Sequence, residues 1–189
     1  MSSHHIVREK QEPALVILGL NNFSFEQLGQ LLEWSPTVIA APLIAEELNS
    51  LGLKIDWIIG NNNDGIFQAD VKNIAAEDGK VIDGALKFLI ANGYPSVNII
   101  TDDFKIADYE SYVEQINIVI FHDHRKIYTI SSTFNKWKPS GEKIELLANS
   151  DNLRFDGLKK IGPFTYITTS DGFFTIHHNG KLLFIAEEN

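Results

Sequence analysis

The chain contains no cysteine, which excludes disulfide bridges and thiolate-ligated metal centres and leads us to expect a cytoplasmic protein. It also lacks any apolar run near the ~20 residues a membrane-spanning helix requires. The polar opening Met1-Ser2-Ser3-His4-His5 has none of the organisation of a secretion signal, and its paired histidines read as a frayed terminus. Positive charge is scarce: 16 Lys and Arg face 25 Asp and Glu, a formal net charge of -9. With no basic cluster to offset it, that balance argues against nucleic acid and anionic membrane surfaces as partners. Apolar mass is abundant, with 44% hydrophobic residues and 12 Phe among 189 residues. This suffices for a buried core in one domain or in two small ones.

The first hundred residues alternate short apolar runs with segments of helical period, the pattern of a parallel α/β sheet. Ala14 to Leu18, Thr37 to Ala41, Ile55 to Ile59 and Val97 to Ile100 are the predicted strands. Between them, Ser24 with Gln27 three residues on forms a capping box for a helix to Glu33. Pro42 opens a second helix, Leu43 to Leu51, that Gly52 closes. Val81, Ile82, Ala85, Leu86, Phe88 and Leu89 make the apolar stripe of a third, ended by Asn92-Gly93, with Asp83 on the solvent side. After about residue 115 the period changes to two, in runs bounded by turn residues. Asn117 to Phe121, Lys126 to Ile130, Lys143 to Ala148, Phe164 to Thr168, Phe173 to His177 and Lys181 to Ile185 predict a small antiparallel β-sandwich. The expected organisation is an α/β domain with a mostly parallel sheet over 1–115 and a β-sandwich over 116–189.

In open α/β sheets, ligands collect beyond the carboxyl ends of the strands. Two polar loops occupy such places: Gly60-Asn61-Asn62-Asn63-Asp64 after the third strand and Thr101-Asp102-Asp103 after the fourth. Mg²⁺ bound with a nucleotide wants one or two carboxylates plus phosphate oxygens. The first loop offers three amides and one acid. His122-Asp123-His124-Arg125 resembles a metal cluster, but its apolar flanks make it a hairpin tip, and Asn179-Gly180 after His177-His178 is a turn of the same kind. Trp137, among polar neighbours, is either a surface-packed residue or a platform for an aromatic ligand.

These segments together resemble the thiamine pyrophosphokinase family over most of the chain. Where that family follows a strand of the Val-Ile-Ala-Ala type with Asp-Gly, Val38-Ile39-Ala40-Ala41 is followed by Pro42-Leu43. Its Gly-Asp-x-Asp-Ser element falls on Gly60-Asn61-Asn62-Asn63-Asp64, and its Asp-x-x-Lys-Ala helix start on Val81-Ile82-Asp83-Gly84-Ala85. Its Gly-Gly-Arg-x-Asp-His element meets Phe104-Lys105, with Ile106 for Arg, Asp108 for Asp and Tyr109 for His. Gly157-Leu158-Lys159 and Thr169-Ser170-Asp171 resemble its Gly-Leu-Lys and Ser-Asn elements.

The resemblance implies a homodimer in which ATP, Mg²⁺ and thiamine meet between the α/β half of one subunit and the sandwich of the other. It places catalytic and metal roles on Asp108 and Asp64. Nucleotide contacts fall on Asn61, Asn63, Asp102 and Asp103, and substrate contacts on Ser170 and Asp171. One carboxylate near a cation is worth about 4 kcal/mol at an effective dielectric near 20, so replacing acids by Asn, Pro and Val removes much of the ion's seat. The expectation is a relative that binds thiamine or a nucleotide with ATP and Mg²⁺ use weakened or lost. Two alternatives stay open: a divergent pyrophosphokinase working through Asp64, Asp102, Asp103 and Asp108, and a purely structural dimer.

Overall fold

A computed structural model describes residues 12–60, 70–75, 80–148, 152–180 and 182–189. The chain is mostly β with few helices, and it divides into two compact units, residues 1–118 and 119–189. Among the described residues no helix is long and apolar enough to cross a membrane.

The first unit is built on five parallel strands. They are β1 (Ala14–Ile17), β2 (Val38–Ala40), β3 (Trp57–Ile59), β4 (Lys72–Ile74) and β5 (Ser96–Ile100). Their order in space is β5-β1-β2-β3-β4. Three helices connect them: α1 (Phe25–Leu32), α2 (Pro42–Ser50) and α3 (Val81–Ala91). Strands covered on both faces read as continuous apolar runs, and Ala14, Leu15, Val16 and Ile17 are accordingly fully buried. The capping box forms as the spacing predicts, with the Ser24 hydroxyl accepting from the Gln27 amide at 3.2 Å. Pro42 occupies the first turn of α2, and Gly52 takes the left-handed backbone beyond it, at φ 69°. In α3, Ile82, Ala85, Leu86 and Leu89 are the buried stripe. That helix lies against β3 so closely that a Cβ on Gly84 would sit 3.0 Å from Ile59 Cδ1. Trp57 and Phe88 meet across the same contact at 4.6 Å between ring centres. β4 has no counterpart in the predicted elements, because Lys72 and Asn73 are exposed and only Ile74 is apolar and buried.

Strand β6 (Asn117–His122) carries the chain into the second unit, where pairing becomes antiparallel. Its turn to β7 (Arg125–Ile130) places Asp123 and His124 at φ 51° and 59°, the backbone a tight hairpin tip demands. The remaining strands are β8 (Thr133–Lys138), β9 (Lys143–Leu146), β10 (Arg154–Asp156), β11 (Leu158–Lys160), β12 (Thr165–Thr168), β13 (Gly172–His177) and β14 (Leu183–Glu188). Those in the order β11-β12-β9-β14-β7-β6 are hydrogen-bonded neighbours, and β10-β13-β8 form a separate sheet of three. Both sheets contribute to one core of Ile130, Ile144, Leu146, Tyr166, Phe174, Ile176, Leu183 and Ile185. Three of these strands, β8, β10 and β11, are additional to the six predicted.

The apolar core of this unit ends in charge. Glu187, 3% exposed, receives Lys136 Nζ at 2.5 Å, Lys138 Nζ at 2.6 Å and the Tyr128 hydroxyl. Burial alone would raise its pKa, but the hydrogen bonds from Lys136, Lys138 and Tyr128 prevail and hold it below the ordinary 4.5. A carboxyl whose folded pKa is depressed contributes stability that is complete above the unfolded value and is lost as pH falls through the folded one. Urea unfolding between pH 3 and 7 is therefore expected to show acid destabilisation in which Glu187 has a share. Glu187→Gln should lower stability at pH 7 by about 3 kcal/mol and flatten that part of the pH profile. An unchanged profile would mean that the carboxylate is not ionised in the folded protein.

Candidate functional site

The first unit has its topological switch point between β1 and β5, since the chain leaves β1 toward β2 on one side and returns to β5 on the other. Crevices at such points are where ligands collect in this class of sheet. Gly19 and Asn21 follow β1 there, and Thr101, Asp102 and Asp103 follow β5. The structure joins these two loops to each other. Asp102 accepts from the Asn21 amide at 3.1 Å and from its side-chain Nδ2 at 2.9 Å, so both carboxylate oxygens are engaged. It lies so close to the first loop that a Cβ on Gly19 would stand 2.1 Å from Oδ2. Thr101 is buried, and its hydroxyl donates to the Asp103 carbonyl at 2.9 Å and accepts from the Asp103 amide at 3.2 Å. Asp103 is turned outward and pairs with Lys105 at 2.9 Å.

A crevice of about 200 Å³ opens at the start of α3 and is lined by Lys80, Ile82, Asp83, Ala107, Asp108, Ser111 and Tyr112. Asp108 ends a short 3₁₀ turn, Ile106–Asp108, and pairs with Lys80 Nζ at 2.5 Å. Asp83 pairs with Lys87 at 2.7 Å one helical turn on, and accepts from the Tyr112 hydroxyl. The bonds from Lys87 and then Tyr112 hold the Asp83 carboxyl below its ordinary range. Burial, then the bond to Asp83, raises Tyr112. Tyr109, where the family pattern has His, is fully buried against Phe104 at 5.7 Å, and burial is the first cause of its raised pKa. The crevice lining thus carries two carboxylates, one lysine and a phenol, and with Lys87 reaching Asp83 from the next turn of α3 each carboxylate has a cationic partner.

Of the residues the sequence singles out, Asn61, Asn63 and Asp64 lie outside the described residues. Asp102 and Asp103 are adjacent but face different partners, and Asp108 is paired with Lys80. Among the described residues no group of three or more His, Asp or Glu is arranged to hold a metal ion. In the second unit, Asp171 Oδ1 accepts from the Ser140 amide at 2.8 Å, tying the β12–β13 turn to the β8–β9 turn, and Ser170 beside it is exposed. Sequence reasoning missed Lys80, Tyr112 and Asn21, whose partners are 28, 29 and 81 residues away. It set Asp83 on the solvent side of α3, where the structure leaves it partly exposed and adds Tyr112 as a partner at the crevice rim.

Compared as a sequence, the chain matches no protein-family model and no curated protein. Compared as a structure, it is similar to thiamine pyrophosphokinases over nearly its whole length. The thiamine pyrophosphokinase of Bacillus subtilis matches with a TM-score of 0.66 at 13% identity, covering 94% of this chain and 99% of the other. That of Geobacillus thermodenitrificans gives 0.70 at 10% identity, with 93% and 97% covered. The yeast enzyme gives 0.69 at 8% identity, with 96% and 87% covered. The chain has the thiamine pyrophosphokinase fold, and at these identities the likeness establishes the fold alone.

The clasp between the two switch-point loops is testable. Asp102→Ala removes two hydrogen bonds to a charged acceptor and is expected to cost about 2 kcal/mol in urea unfolding. Gly19→Ala should cost a similar amount by evicting the carboxylate. In the Asp102→Ala background Gly19→Ala should be close to neutral, and additive losses would show that Gly19 is constrained by something other than Asp102.

Proposed function

We propose that this chain is a thiamine pyrophosphokinase-related protein that binds a small ligand, thiamine or a nucleotide, without transferring a pyrophosphoryl group. One observation carries the proposal: the described carboxylates open to a Mg²⁺–nucleotide complex already have partners within the protein. Asp102 is held by Asn21, Asp103 by Lys105, Asp108 by Lys80 and Asp83 by Lys87 and Tyr112. Mg²⁺ demands near-ideal octahedral oxygen geometry and gives up its water reluctantly. It would have to compete with these lysines for acids that are not grouped to hold an ion, so the described residues do not fit a Mg²⁺–ATP seat. Phosphoryl transfer rests on positioning and on neutralising charge at the transferring group. Ile106, where the resembled family carries arginine, supplies no cation for it.

In this proposal residues 1–115 form the catalytic-type domain and 116–189 a β-sandwich that contributes ligand contacts through Ser170 and Asp171. Asp108 and Asp64 are remnants of a metal seat, and Asn61, Asn63, Asp102 and Asp103 flank the nucleotide position. The protein acts as a homodimer. Supporting the dimer, Trp137 and Phe173 stand directly opposite each other in the β8–β13 register and are 54% and 68% exposed, an aromatic pair suited to burial against a second copy.

The test combines turnover and binding on the whole chain. Incubation with thiamine, ATP and Mg²⁺ is expected to yield no thiamine diphosphate. Calorimetry with thiamine, thiamine diphosphate and ATP should show at least one ligand bound with an affinity indifferent to Mg²⁺. Turnover at the ordinary enzymatic scale of about 1 per second, abolished by Asp108→Ala, would overturn the loss of catalysis. Failure to bind all three ligands would leave a structural dimer.

A further inference from the structure

The second unit carries a cluster of like charges to which the proposed function gives no role. Lys126 stands across from Glu187 in the β7–β14 register, and therefore on the same face of that sheet. On β8 of the other sheet, Lys136 and Lys138 alternate with the exposed Asn135 and Trp137, so both point inward, and both reach Glu187. Lys136 Nζ also lies 3.2 Å from the Tyr128 hydroxyl and 5.1 Å from its ring centre. The nearest further acid is Glu142, 3.5 Å from Lys138. Three ammonium groups thus share two carboxylates, in a chain where acids outnumber bases.

The shortage falls on Lys126. Lys136 and Lys138 divide the Glu187 oxygens, and among the described residues none hydrogen-bonds or ion-pairs with Lys126. Its side chain is half-buried beside the buried Phe121, its register partner on β6. Burial first, and then the neighbouring Lys136, push its pKa below the ordinary lysine value, with Glu187 opposing and Lys138 adding to the depression. A half-buried lysine among like charges, whose one opposing carboxylate is already held closely by two other lysines, is a place where an anion gains more than it would at an exposed side chain, because screening is weaker there.

We propose that this end of the second unit binds a small oxyanion, a phosphate or carboxylate group, with Lys126 as its principal contact and Lys136 and Lys138 supplying the field behind it. The ligand class is opposite in charge to the thiazolium ring of thiamine. The proposal involves residues of the second unit only and stands whether or not the first unit binds a nucleotide.

The experiment follows the lysine side-chain signals of the full chain, ¹³C-labelled at lysine, by NMR during titration with inorganic phosphate and, separately, sodium acetate. Sodium chloride at matched ionic strength is the control. The expected result is a saturable shift of Lys126 with at least one oxyanion and a rise in its pKa when that oxyanion is present. In Lys126→Met, binding read from the Lys136 and Lys138 signals should weaken at least tenfold, while Lys126→Arg retains it. Lys143→Met, at an exposed lysine paired with Glu188, should bind as the parent does. Removing an unpaired charge should leave Lys126→Met at least as thermally stable as the parent, so its fold can be verified by melting. A response no different from that to chloride, or undiminished binding in a folded Lys126→Met, would overturn the proposal.

Discussion

The first unit depends on the complete burial of β1. That strand is hydrogen-bonded on both edges, to β2 and to β5, and none of its four residues touches solvent. Parallel strands of this kind have no solvated face, so every polar demand is exported to their ends. At the carboxyl end of β1 the demand is met by Asp102 from the neighbouring strand end, which grips Asn21 and leaves no room for a side chain at Gly19. The place where this architecture offers a ligand crevice is thus also where it has tied its own loops together.

The charge balance in the first unit follows the same logic at α3. Lys80 and Lys87 answer Asp108 and Asp83, and a phenol completes the set. A site that handles transferring phosphates needs charge left over, because electrostatic stabilisation comes from preorganised groups not already satisfied by each other. In the second unit a surplus of positive charge exists at another address, among the lysines around Glu187. The two units therefore handle charge differently: acids matched by lysines around α3 in one, and three lysines gathered at Glu187 in the other.

Much of the architecture was legible because local rules and tertiary needs agree in it. Ser24 with Gln27, Pro42 with Gly52, the stripe of α3 and the hairpin tip at Asp123-His124 each follow from short-range chemistry. What escaped is what depends on distant partners. β4 is a strand because β3 offers an edge, not because Lys72-Asn73-Ile74 is apolar. β8 inverts the usual alternation: Lys136 and Lys138 face inward and Trp137 outward, since Glu187 is there to receive them. Glu187 itself sits in Ala186-Glu187-Glu188, which reads as a solvated strand end until the opposing sheet is known. The engaged states of Asp102 and Asp108 rest on contacts 81 and 28 residues apart, beyond the reach of any motif.

The position of β14 has a consequence for synthesis. It is hydrogen-bonded between β7 and β9 in the interior of its sheet, and it brings Glu187 to the lysines. The β6–β7 hairpin and the β8–β13 pair can form earlier, but neither sheet can close on a shared core until residue 188 has left the ribosome. During that interval Leu183 and Ile185 are missing from the core, and Lys126, Lys136 and Lys138 face one another with no carboxylate from β14 between them. The core of the second unit is therefore incomplete, and its half-buried lysines lack their shared carboxylate, until β14 has been made.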